Sequence, residues 1–157
     1  MNIFLLDKPC DIDIIAQSHC DKHVSKMILE SAQMLCTATW EAGYTAPYKP
    51  VHQKHPCTLW AGDSQENWLW LKELTIKLNE EFCWRYGRSS NHKSADVVKT
   101  MSTPDTLPLT SGLVRPQCMP DEYKVDKDPV SAYRNYYLGE KHFAIWTKRK
   151  EPLWWIH

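Results

Sequence analysis

The sequence predicts an all-α fold, a compact single domain over residues 1–157 with three long helices, short helices and a long proline-rich loop. Residues 21–40 and 64–86 carry apolar side chains at the three- and four-residue intervals of an amphipathic helix. A third long helix is predicted from 128 to about 147, because Asp128–Pro129 is a strong helix start. A chain of 157 residues suits one domain and leaves little room for two.

The elements in the first half follow from local signals. Residues 2–6 form a short apolar run, either a strand or an extended lead-in, and Asp11 or Asp13 can cap a short helix that ends at Ser18. The helix of residues 21–40 is stopped by Gly43, and a loop with two prolines follows. We predict a short helix opened by His55–Pro56, with the proline at its first position.

The elements in the second half are less regular. Ser64 is the expected cap of the helix that runs to Tyr86, and Gly87 is its expected stop. Periodicity fades over residues 88–127, where four prolines predict a long packed loop. We expect the two tryptophans of the final segment, EPLWWIH, to dock on the body of the domain.

The charge balance excludes a protein that binds nucleic acid through a global basic field. Lys and Arg total 19, as do Asp and Glu, so the formal net charge is zero. Any contact with nucleic acid must therefore come from a local patch, such as an enzyme pocket. The eight tryptophans suit core packing and also stacking on bases.

The cysteines and the first residues predict a reduced, cytoplasmic protein that does not enter a membrane. The six cysteines could form disulfides, but the start MNIFLLDKPCD does not read as a signal peptide. No apolar run approaches the ~20 residues that span a bilayer.

A polar stripe along the second predicted helix is the first candidate site. Its members recur at helical spacing, and they are Lys22, His23, Lys26, Glu30 and Gln33. We predict that His23 acts as general acid and base, that the two lysines bind phosphate, and that Glu30 orients a lysine or water. The alternative is a solvated helix face with one ion pair.

Two further groups of residues are candidates. Basic residues near the end of the helix of 64–86 and in the segment after it, together with His55, could bind nucleic acid, although cations at a helix C-terminus also suit the helix dipole. These residues are Arg85, Arg88, His92 and Lys93. We predict no metal or other cofactor, but a zinc site remains an alternative if two His/Cys clusters come together. Its ligands would be His19, Cys20, His23, His55 and Cys57.

The motif Asp21-Lys22-His23-Val24-x-Lys26, followed by Glu30, Gln33, Leu35, His55-Pro56 and Trp60, resembles a known group of proteins. The group consists of small bacterial and phage proteins distantly related to the pyrimidine-dimer DNA glycosylases, or phage-type endonuclease V. The similarity covers roughly the first 90 residues by order of elements.

The resemblance implies a compact all-α enzyme that repairs damaged DNA. In that family an N-terminal α-amine attacks the sugar and forms an imine, assisted by a helical glutamate with basic neighbours. The amine would belong to Met1, or to Asn2 if Met1 is removed, and the basic neighbours correspond to Lys22 and Lys26. The place of the glutamate falls on His23, and Glu30 could substitute only in a rearranged pocket.

We therefore predict an enzyme that processes nucleic acid, of the DNA glycosylase and abasic-site lyase kind, with DNA or a nucleotide as its partner. The alternatives are a non-catalytic module that binds nucleic acid or protein, and a zinc protein. The oligomeric state is left open.

Overall fold

The computed structural model describes residues 1–156 and confirms the all-α prediction. The described residues form six α-helices and a 3₁₀ turn at Asp121–Tyr123, and they contain no strand. The helices are α1 (Ile12–Ser18), α2 (Asp21–Glu41), α3 (Pro56–Ala61), α4 (Gln65–Tyr86), α5 (Lys93–Thr100) and α6 (Pro129–Glu140). None of the helices in this part of the chain is long and apolar enough to cross a membrane.

The two longest helices, α2 and α4, pack against each other and form the centre of the fold. The helix α1 packs on α4, α3 packs mainly on α2, and α5 packs on both central helices. One hydrophobic core runs through the molecule, from Ile3 near the start of the chain to Trp155 near its end. Burial of this continuous apolar surface stabilises helices that would be marginal on their own.

Local signals fix the start of α3 and both ends of α4 where the sequence predicts them. The Ser64 hydroxyl accepts a hydrogen bond of 3.0 Å from the Asn67 amide, which caps α4. Gly87 ends α4 in the left-handed conformation with a φ of 58°, as expected for glycine after a helix. His55 caps α3, with Pro56 at the first helical position.

The first segment of the chain is extended and buried. Residues 2–6 pair with no strand and lie in the core, with Leu5 and Leu6 fully buried. The ring of Phe4 stacks on that of His23 with 4.6 Å between centroids, and it also contacts Tyr133 and Tyr137 edge-on. The start of the chain is thereby held between α2 and α6.

Two predicted boundaries in the second half are wrong. The long loop of residues 88–127 contains α5, which His92 caps by accepting a bond of 3.2 Å from the Ser94 amide. The last helix ends at Glu140, seven residues before Thr147, because the chain turns there and Thr147 bonds to Asp21 instead. The tail docks as predicted, and Trp155 is buried.

Candidate functional site

The amino terminus lies beside a glutamate of α2. The Met1 nitrogen is 3.7 Å from Oε2 of Glu30, and the Asn2 backbone nitrogen donates a hydrogen bond of 3.1 Å to the same oxygen. The other carboxylate oxygen is 3.4 Å from Nζ of Lys26, one helical turn before Glu30. The carboxylate therefore bridges the first residues of the chain and an exposed lysine.

Hydrogen bonds to Asn2 fix the position of the chain start. Its side-chain amide donates a bond of 2.7 Å to the Cys118 carbonyl. Its side-chain oxygen accepts a bond of 2.7 Å from the Tyr133 hydroxyl on α6. Because both ends of this amide are held, the nitrogen atoms near Glu30 have a defined geometry.

Solvent reaches the main chain of Met1. Its side chain is only 3% exposed, although the residue as a whole is only partly buried. Most of its exposed surface therefore belongs to main-chain atoms, where the amine lies. A groove of about 920 Å³ also opens along residues 114–117, next to Cys118, and Lys124 and Lys127 are in its lining.

A histidine and two cysteines come together close to the chain start. One potential ligand atom from each of His55, Cys57 and Cys118 lies within 4.8 Å of the others. The two sulfur atoms are 3.5 Å apart, and the Cys57 thiol also contacts the Asn2 side-chain oxygen. Cys118 is not among the ligands predicted from the sequence, because it lies 61 residues after Cys57 and in no recognisable ligand spacing.

The thiols and the imidazole influence one another. The hydrogen bond between the cysteines raises the pKa of Cys57 and lowers that of Cys118 to about 7. Partial burial lowers the pKa of His55, and the positive charge of the amino terminus lowers it further. The chain start, Glu30 and these three residues thus form one cluster, which we call the N-terminal site.

The predicted stripe on α2 does not form one surface. Lys22 and Lys26 are exposed, but His23 is buried, with 5% of its surface exposed. The Nδ1 atom of His23 is hydrogen-bonded to the Tyr137 hydroxyl, and its ring stacks on Phe4. The side chain of His23 therefore faces the core, whereas that of Glu30 faces the start of the chain. For this reason His23 is not part of the candidate site.

We expect acid to destabilise the protein because two histidines are buried. Burial lowers the pKa of His19 to about 4 and that of His23 to about 3. In the unfolded chain both would titrate near 6.5, so between these values the unfolded chain binds protons that the folded chain does not. The free energy of unfolding therefore falls as the pH drops below ~6.5, by about 3 kcal/mol for each histidine at pH 4.

Urea unfolding at pH 7 and pH 4.5 measures this loss. We expect His23→Gln to show a smaller difference between the two pH values than the unsubstituted protein, since one source of proton uptake is removed. His142→Gln is the matched control, because His142 is exposed. Equal pH dependence in the protein and in His23→Gln would contradict this account.

The predicted basic group is divided between the interior and the surface. The Arg85 side chain is fully buried, and it forms ion pairs with Asp21 at 3.1 Å and Glu81 at 2.9 Å. The prediction that Arg85 binds nucleic acid is therefore wrong, since its side chain holds two carboxylates together in the core. Of the remaining members, Arg88, His92 and Lys93 line a pocket of about 310 Å³, whereas His55 belongs to the N-terminal site.

The predicted zinc ligands are also divided. His19 and Cys20 are buried near the start of α2, where His19 Nδ1 bonds to the Ile15 carbonyl. Among residues 1–156, the potential ligands that converge are those of the N-terminal site, so His19, Cys20 and His23 do not join His55 and Cys57.

Comparison of the chain with protein-family models, with curated proteins and with solved structures found no match.

Proposed function

We propose that this protein is a nucleic-acid-processing enzyme of the DNA glycosylase and abasic-site lyase kind, and that its nucleophile is the amine at the start of the chain. The observation that carries the proposal is the position of Glu30. Its carboxylate lies 3.7 Å from the Met1 nitrogen and 3.1 Å from the Asn2 nitrogen. Whichever of the two residues bears the free amine, a carboxylate is within reach of it.

The proposed reaction begins with imine formation at the aldehyde carbon of an abasic sugar. Glu30 takes a proton from the amine, the freed nitrogen bonds to C1′, and the former carbonyl oxygen leaves as water with protons that the carboxyl group returns. Glu30, again a carboxylate, then takes a proton from C2′, the electrons of that C–H bond form a double bond between C2′ and C3′, and the 3′ phosphate leaves with the electron pair of its bond to C3′. Hydrolysis of the imine releases the unsaturated aldehyde and restores the amine. These steps need no cofactor.

Nearby charges suit a substrate with a phosphate backbone. Lys22 and Lys26 are exposed on α2, about two turns and one turn before Glu30, and the Lys26 Nζ lies 3.4 Å from the carboxylate. Exposed lysines can contact phosphate oxygens on either side of a damaged nucleotide. A local patch of this kind agrees with a chain whose net charge is zero, since binding would depend on a few nearby lysines and not on a global field.

Borohydride trapping on an oligonucleotide with one abasic site tests the proposal. We expect a covalent adduct, because the hydride reduces the imine to a stable amine, and we expect mass spectrometry to locate it on the first residue of the chain. Acetylation of the α-amine should abolish the adduct, since an amide nitrogen is not a nucleophile.

Lys26→Ala is the matched control for the site of attachment. Its side-chain amine is exposed and adjacent to Glu30, so it is the strongest rival nucleophile. We expect the variant to retain the adduct. An adduct on a lysine, or binding of the oligonucleotide with no adduct, would overturn the proposal, and the second result would favour a non-catalytic binding module.

A further inference from the structure

We propose that His55, Cys57 and Cys118 bind a zinc ion. Three ligand atoms, one from each residue, already lie within 4.8 Å of one another. Two cysteine sulfurs and a histidine nitrogen form a ligand set that zinc favours over magnesium or calcium, which prefer oxygen. This inference rests on the thiol and imidazole groups and not on the imine chemistry.

The separation of the sulfur atoms fits a shared ion. With Zn–S distances of about 2.3 Å, tetrahedral geometry places two sulfurs about 3.8 Å apart. The Sγ atoms of Cys57 and Cys118 are 3.5 Å apart. A shift of a few tenths of an ångström in the sulfur positions would therefore be enough for both to bind one ion. The thiols would lose their protons to solvent on binding.

The backbone around the ligands is held in place. His55 and Cys57 belong to the N-terminal end of α3, where the Cys57 amide donates a bond of 3.1 Å to Nδ1 of His55. The carbonyl of Cys118 is fixed by the Asn2 side chain, and its amide bonds to the Tyr133 hydroxyl. An ion in this position would join α3 to the loop that follows α5.

Three protein ligands leave one position of a tetrahedral zinc ion for water. Sites of this type differ from closed structural sites, which use four protein ligands. The open position would lie in the N-terminal site, close to the chain start. The Asn2 side chain contacts both cysteines, through the Cys57 sulfur at 3.8 Å and the Cys118 carbonyl at 2.7 Å.

Elemental analysis after incubation with excess zinc under reducing conditions, followed by removal of free metal, tests the site. We expect one zinc per chain, and we expect cobalt to give the absorption of a thiolate-bound ion in tetrahedral geometry. Cys118→Ser should bind zinc at least about 100-fold more weakly. Loss of a residue that only hydrogen-bonds to a metal ligand already lowers metal affinity by about 10–100-fold, and loss of a direct ligand should lower it further. Cys10→Ser is the matched control, since Cys10 is an exposed thiol away from the cluster.

The cobalt spectrum of the unsubstituted protein does not depend on whether Cys118→Ser folds, and the helical signal in circular dichroism checks the variant. A protein that retains no metal, or a Cys118→Ser variant that retains as much as the unsubstituted chain, overturns the zinc site. Imine trapping in the presence of a chelator reports on the amine alone, so the failure of either proposal can be distinguished from that of the other.

Discussion

Replacement of Glu30 by glutamine should slow imine formation on an abasic oligonucleotide by about 10²–10⁴-fold, the usual contribution of a positioned acid or base. Glutamine has nearly the same shape and can still accept the hydrogen bond from the Asn2 amide, but it cannot take a proton from the attacking amine. The rate of adduct formation under single-turnover conditions, with borohydride as the trap, measures the effect.

Lys26→Gln provides the comparison for this substitution. It removes the partner of Glu30 on the solvent side, where 63% of the lysine side chain is exposed, and leaves the carboxylate in place. Exposed ion pairs contribute little, so we expect less than about a tenfold change. If Glu30→Gln reacts as fast as Lys26→Gln, then the carboxylate takes no part in proton transfer and the proposed chemistry is wrong.

Arg85→Met should lower the free energy of unfolding by about 3 kcal/mol, because Asp21 and Glu81 lose a buried charged partner. The loss is limited, since Thr147 still bonds to Asp21 and Arg149 still pairs with Glu81. The guanidinium pairs with Asp21 and Glu81 and also donates bonds of 2.8 Å to the carbonyls of His19 and Gln17. Arg85→Lys should recover only part of this loss, since an ammonium group cannot reproduce the forked set of donors.

Urea denaturation, monitored by the helical signal in circular dichroism, measures the free energy of unfolding of each variant. Lys77→Met is the matched control, because Lys77 also bridges two carboxylates, those of Asp13 and Glu80, but at the surface. We expect it to cost less than about 1 kcal/mol. If both variants lost a similar free energy of unfolding, burial would not be the reason that the Arg85 ion pairs stabilise the protein.

Elements with strong local signals could be predicted from the sequence. The helices α2 and α4 begin and end close to their predicted bounds, and α3 begins at the predicted His55–Pro56. Caps such as Ser64 and stops such as Gly87 act on their own neighbours in the chain. The helix α5 is not predicted from the sequence, because its eight residues complete too few helical turns for an apolar pattern to be recognised. The last helix was predicted too long, because Phe143 and Trp146 continue its aromatic pattern after the chain has turned.

The candidate site could be predicted only in part, since its residues are separated in sequence. Glu30 and Met1 were both candidates, but only the fold shows that the extended segment passes beside α2. His23 lies one turn before Lys26 on the same helix, yet its ring packs against those of Phe4 and Tyr137 in the core. Spacing along a helix indicates which residues share a side and not what that side contacts.

The buried start of the chain also has a consequence for biosynthesis. The side chain of Asn2 donates a hydrogen bond to the Cys118 carbonyl and accepts one from Tyr133, a residue 131 positions later. This segment therefore cannot take its final place until residues 118–133 have also been translated. Until then its apolar side chains remain available to chaperones, and the late closure of so long a loop favours slow folding.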